Sequence, residues 1–146
     1  MRRLDEDLIL GRLQRLDELV RWLRTFSGRE GAALAEDTQT WMAVQHGLQV
    51  AIQIVVDVAG HLRAAAGGGA AAGYRETCAA LGELGIVPTE LAPRLADMAS
   101  MRNVLVHGYA AVDPERVAWV LAHGLDDFGA FAQAVDCFGL PEQGNK

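Results

Sequence analysis

The stretch 41–62 constrains the fold more than any other part of the chain. Trp41, Val44, Leu48, Ile52, Val55, Ala59 and Leu62 recur at steps of three and four, which lines them along one face of a helix. Most other positions there are apolar too, so this helix belongs at the centre of the molecule. One ribbon breaks the pattern. Gln45, Gln49, Gln53 and Asp57 follow every four residues, with His61 four further on, and side chains at that spacing are neighbours. Buried amides and a carboxylate need hydrogen-bond partners. The ribbon therefore faces a second chain, a wet cleft or another polar group, or else it marks a solvent-exposed edge.

The rest of the chain also reads as helix. Ile9, Leu13, Leu16, Val20 and Leu23 make a first apolar stripe, with arginines on much of the remaining surface, and residues 25–36, containing Gly28 and Gly31, read as a connection. Asp37 or Thr38 can cap the central helix. Residues 64–73 (AAAGGGAAAG) form a low-complexity hinge. A short helix is expected over about 74–84, stopped by Gly85, and a further one from about Pro93 after a turn. Asp113-Pro114 opens one last long helix, whose stripe runs from Val117 through Val135. No period-two pattern appears. The expected fold is all-α, an up-and-down bundle of about five helices over residues 1–138, with 139–146 as a flexible tail.

A length of 146 residues with 51% hydrophobic and 22% charged side chains suits one folded unit and excludes wholesale disorder. No apolar run reaches the roughly 18 residues of a membrane helix, and the opening MRRLDEDLIL carries acids where a signal peptide would be apolar. Cys78 and Cys137 are too few and too far apart for a zinc cluster or a disulfide scaffold, and they read as small core residues. These features point to a reduced cytoplasmic protein without membrane contact.

The net charge of −6 disfavours broad, non-specific nucleic-acid binding, and 6% aromatics are too sparse for a base-stacking platform. Trp22, Trp41 and Trp119 read as packing anchors. Basic charge is concentrated early, with seven arginines against five acids in residues 1–29. The four histidines lack metal-ligand spacing, so no metal or cofactor is expected. Gly67 to Gly69 lacks the Lys-Ser/Thr ending of a phosphate loop.

Chemistry concentrates in Arg102-Asn103-Val104-Leu105-Val106-His107-Gly108-Tyr109. Gly108 is a good helix stop, which puts His107 in a last turn. Asn103, four residues earlier, can orient the imidazole. Arg102 and His107 are about 140° apart around a regular helix. They converge on one ligand only if the helix end unwinds or two chains contribute. A lone Arg and a lone His at a helix end are more often structural, one pairing an acid and the other capping a carbonyl. His61 beside Asp57 is read first as a satisfied buried pair and second as a histidine oriented by a carboxylate.

The string RNVLVHGY matches the Arg-x4-His-x-Tyr signature of the HEPN superfamily and most resembles its HepT toxins. The likeness extends to LQVAIQIVVDVAGHL, LGELGIVP, ELAPRLADMASMRNVLVHGY and DPERVAWVLAHGLDDFGAF. It implies an endoribonuclease toxin that forms a homodimer, with Arg102 and His107 from both subunits lining a composite RNA-cleaving cleft. Asn103 is the motif's supporting polar residue, and Asp57, read from the helix ribbon and not from the motif, is a second supporting candidate. It implies as partner a minimal nucleotidyltransferase (MNT) antitoxin that transfers AMP from ATP onto Tyr109. Two other expectations stand beside it: a non-catalytic, substrate-binding partner of a nucleotidyltransferase, and a helical dimerisation protein whose motif only caps a helix.

Overall fold

The computed structural model describes residues 5–68, 73–107 and 112–138. Seven α-helices are described: α1 (Glu6–Arg24), α2 (Gly31–Glu36), α3 (Thr38–Ala65), α4 (Tyr74–Glu83), α5 (Leu91–His107), α6 (Pro114–Trp119) and α7 (Leu125–Phe138). A π-helical turn, Val120–Gly124, joins the last two. No strand occurs among the described residues, and the fold is an all-α bundle.

Local signals set most helix starts. Asp5 caps α1 by accepting from the Leu8 amide at 3.1 Å, and Asp37 caps α3 by accepting from the Gln39 amide. Acids in the first turn of α1 and arginines in its last complement the helix dipole. Gly85, at φ +75°, lets the chain leave α4 in a left-handed turn, while the Ile86 amide returns to the Leu81 carbonyl at 2.9 Å.

α3 is the hub, packed against α1, α4 and α5 and, more lightly, α2 and α7. Its Val44, Leu48, Ile52, Val55, Ala59 and Leu62 are buried, as the stripe predicts. Among the described residues it is the one helix long and apolar enough to cross a membrane, yet that apolar surface is largely taken up inside the bundle. Trp22 lies so close over Gly47 that a β-carbon there would meet its ring at 2.7 Å, which fixes the approach of α1 to α3.

Several expectations change. The connection at 25–36 contains α2, which docks on α6 so tightly that a β-carbon on Gly31 would lie 2.6 Å from the Pro114 backbone. α5 begins at Leu91, two residues ahead of the expected start at Pro93. A proline in the first turn removes no helical hydrogen bond, because those amides have no partner within the helix anyway. The last long helix is interrupted by the π turn. Trp119 (60% exposed) and Cys137 lie on the surface, whereas Cys78 is buried. The hinge expected at 64–73 begins inside α3, which continues to Ala65, and residues 69–72 and 139–146 lie outside the described residues.

Candidate active site

The polar ribbon of α3 opens into a groove between α1 and α5. Gln49, Gln53 and Asp57 line it from α3, Asp7, Arg12 and Arg15 from α1, and Arg102 from α5, around a volume of 660 Å³. In the groove the ribbon meets polar groups of other helices, Arg12 of α1 and Arg102 of α5. Its lining carries three arginines against two carboxylates; Arg12 is paired with Asp57 and Arg15 with Glu18, which leaves Arg102 without an acidic partner among the described residues.

One hydrogen-bonded chain crosses the groove. The Arg102 Nε donates to Gln53 Oε1 at 2.8 Å. The Gln53 Nε2 donates to Asp57 Oδ1 at 2.9 Å, and the Arg12 Nη1 donates to Asp57 Oδ2 at 2.9 Å. The Tyr74 ring, from the first turn of α4, lies 5.2 Å from the Arg102 guanidinium carbon. Arg102 is thus held at its Nε edge and along one face, and among the described residues its two terminal nitrogens make no hydrogen bond. Arg12 and Asp57 are 35% and 38% exposed, so their ion pair stabilises the fold by no more than about 1 kcal/mol. Its larger effect is to fix where the carboxylate sits.

His107 is the last residue of α5 and is exposed, as is Asn103. No hydrogen bond joins them among the described residues, and none joins His107 to Arg102. Helical geometry explains the separation. Five residues carry His107 about 7.5 Å along the axis and about 140° around it, so Arg102 turns toward α3 while the imidazole leaves at the tip. Tyr109 lies outside the described residues. Among the described residues no hydrogen bond or ion pair joins His61 to Asp57, whose carboxylate is met instead by Gln53 and Arg12. No group of three or more His, Cys, Asp or Glu side chains able to hold a metal occurs among the described residues.

Sequence reasoning placed Gln53 and Asp57 on one ribbon but did not connect them to Arg102. The four-residue spacing was the available signal for the α3 half of the network. Tyr74 carried none, because its approach to Arg102 depends on how α4 docks beside α5.

Comparison with known proteins gives consistent matches. Residues 12–135 match the family model described as Ribonuclease HepT-like. A Shewanella oneidensis protein named mRNA nuclease HepT is 22% identical over 129 residues, spanning 88% of this chain and 96% of its own. An Aphanizomenon flos-aquae protein named tRNA nuclease HepT is 26% identical over 91 residues, 62% of each chain. Among solved structures, the tri-AMPylated Shewanella oneidensis HEPN toxin in complex with an MNT antitoxin superposes with a TM-score of 0.81 at 22% identity, over 90% of this chain and 98% of that one. At that identity the superposition establishes the fold.

Proposed function

Because the chain belongs to the HepT-like ribonuclease family, we propose that it is the endoribonuclease toxin of a toxin–antitoxin pair, with Arg102 and His107 as its catalytic residues. The observation that carries this reading is the Arg102 guanidinium, held at one edge and one face in the lining of the groove, with no hydrogen bond to its terminal nitrogens among the described residues. Two parallel hydrogen bonds from such a group suit the non-bridging oxygens of a phosphodiester.

The reaction needs a base, an acid and a cation, and no metal ion. An imidazole takes the proton of the ribose 2′-hydroxyl as its oxygen attacks phosphorus. The bond from phosphorus to the 5′-oxygen breaks, and an imidazolium protonates that leaving oxygen, giving a 2′,3′-cyclic phosphate and a 5′-hydroxyl. One chain supplies a single motif histidine, and it stands apart from Arg102. A two-fold homodimer supplies two of each and lets base and acid come from different subunits. The groove is short, which suits a single-stranded end or loop of RNA better than a duplex. Arg12 and Arg15 extend its phosphate-attracting lining along α1.

We place this pair in the cytoplasm, with an MNT-type nucleotidyltransferase as the partner. AMP transferred onto Tyr109, two residues from His107, brings a negative phosphate and a bulky nucleoside to the cleft and closes it by charge and volume. A second reading, a non-catalytic substrate-binding partner of the nucleotidyltransferase, is favoured by the lack of a hydrogen bond that orients His107 among the described residues.

Expression of the chain alone and RNA cleavage in vitro separate the two. Arg102→Ala and His107→Ala should each lower cleavage by roughly 10²-fold or more while helix content and assembly mass stay unchanged. Cleavage at the wild-type rate by either variant removes that residue from the mechanism. An inactive, non-toxic wild type supports the binding reading. With the partner and ATP, AMP mass should appear on the wild type and not on Tyr109→Phe.

A further inference from the structure

We propose that Gln53 is the positioning residue for Arg102, a neutral spacer that passes on the orientation of Asp57 without passing on its charge. The inference deepens the ribonuclease reading and rests on it. An arginine Nε–H can only donate and an ionised carboxylate can only accept. The amide between Arg102 and Asp57 therefore has one allowed orientation, carbonyl toward Arg102 and NH2 toward Asp57, as found at 2.8 and 2.9 Å. Gln53 and Asp57 stand four apart on α3, so one helical turn sets the spacing of both bonds.

The far end of the relay is anchored across helices, where Arg12 of α1 holds the second oxygen of Asp57. That carboxylate charge is answered by Arg12 and not by Arg102. A carboxylate in direct contact with Arg102 would occupy the donors that a phosphodiester needs and cancel the charge that attracts it. The amide leaves both in place. With Nε engaged and the Tyr74 ring along one face, the guanidinium plane is fixed, and the terminal nitrogens are the donors left for substrate.

Two substitutions test the relay, each compared with wild type and Arg102→Ala. Gln53→Met keeps length and helix preference but removes both hydrogen bonds. It should lower kcat/KM for an oligoribonucleotide by roughly 10- to 100-fold, the scale of a misplaced catalytic group, at an unchanged melting temperature. Gln53→Glu keeps an acceptor for Arg102 and adds the charge that the amide withholds. Binding of an uncleavable 2′-O-methyl oligoribonucleotide should weaken, and the slope of log affinity against log salt should flatten by about 0.7, one phosphate contact on a single strand. A loss of side-chain packing alone would not move that slope.

The proposal is overturned if Gln53→Met cleaves like wild type while Arg102→Ala is inactive. It is equally overturned if Gln53→Glu binds with the wild-type salt slope, and this arm decides the matter should Gln53→Met fail to fold. A wild type that binds the 2′-O-methyl strand but cleaves no RNA would count against the ribonuclease reading, while the salt slopes would still judge the role of Gln53.

Discussion

Burial separates the two cysteines. Cys78 has no exposed surface, and desolvation of the thiolate pushes its thiol up to about 11 from the ordinary 9.0. The proton is thus held more tightly in the folded chain. The resulting stability is complete below pH 9 and is lost as pH rises through 11. Cys137 lies exposed near the end of α7. Iodoacetamide at pH 8 should therefore add one adduct to the native chain, at Cys137, and a second only after unfolding. Rapid labelling of Cys78 in the native state, read by peptide mass, would contradict its placement. At this scale the sequence is least informative. Cys78 and Cys137 look alike as small residues on helical stripes, and only the docking of α4 and α7 tells them apart. In the same way, the spacing of Gln53 and Asp57 was visible from the start, but that Arg102 sits 2.8 Å from the amide depends on how α5 packs on α3.

At the scale of elements, the π turn between α6 and α7 stands out. An inserted residue shifts the ladder from i+4 to i+5 and leaves one carbonyl without a helical partner. The Ser27 hydroxyl, on the segment between α1 and α2, donates to the Leu121 carbonyl at 2.8 Å. The irregular turn thus gains a hydrogen bond from outside the helix. Ser27→Ala should cost about 1 kcal/mol and lower the melting temperature by roughly 2–4 °C, read by calorimetry. A melting temperature unchanged or raised would mean that solvent serves this carbonyl equally well. Helix existence was legible because apolar periodicity is a local property, and the caps at Asp37 and Asp113 were legible for the same reason. The π turn was not, because the stripe from Val117 to Val135 does not distinguish a regular helix from one with an extra residue. α2 was hidden by length: six residues around Gly31 carry too little pattern to register.

At the scale of the whole molecule, the cleavage site is argued as a property of two chains. Arg102 lines the groove between α1 and α5, and His107 ends α5 with no hydrogen-bond partner among the described residues. A composite site makes a specific demand on mixtures. Wild-type chains co-refolded with an excess of His107→Ala should cleave at a rate that falls with the square of the wild-type fraction, because a mixed dimer holds one imidazole where the reaction needs two. Activity that falls in simple proportion to that fraction would place base and acid in one chain. The resemblance to HepT toxins supplied the two-chain idea, and the separation of these side chains within one chain supplies its physical motive.

The close seating of Gly31 on Pro114 bears on how another protein can reach Tyr109. α5 ends at His107, and the chain is anchored again at the buried Val112, just ahead of the pinned start of α6. Even fully stretched, two residues from one mooring and three from the other allow Tyr109 a reach of about 7 Å and 10 Å. Within that reach, entry into a deep cleft would require a helix end to unravel. In the proposed silencing, a transferase acting on this tyrosine must therefore bring its own catalytic rim down to the bundle, and the fit between the two surfaces would determine which enzyme can do so.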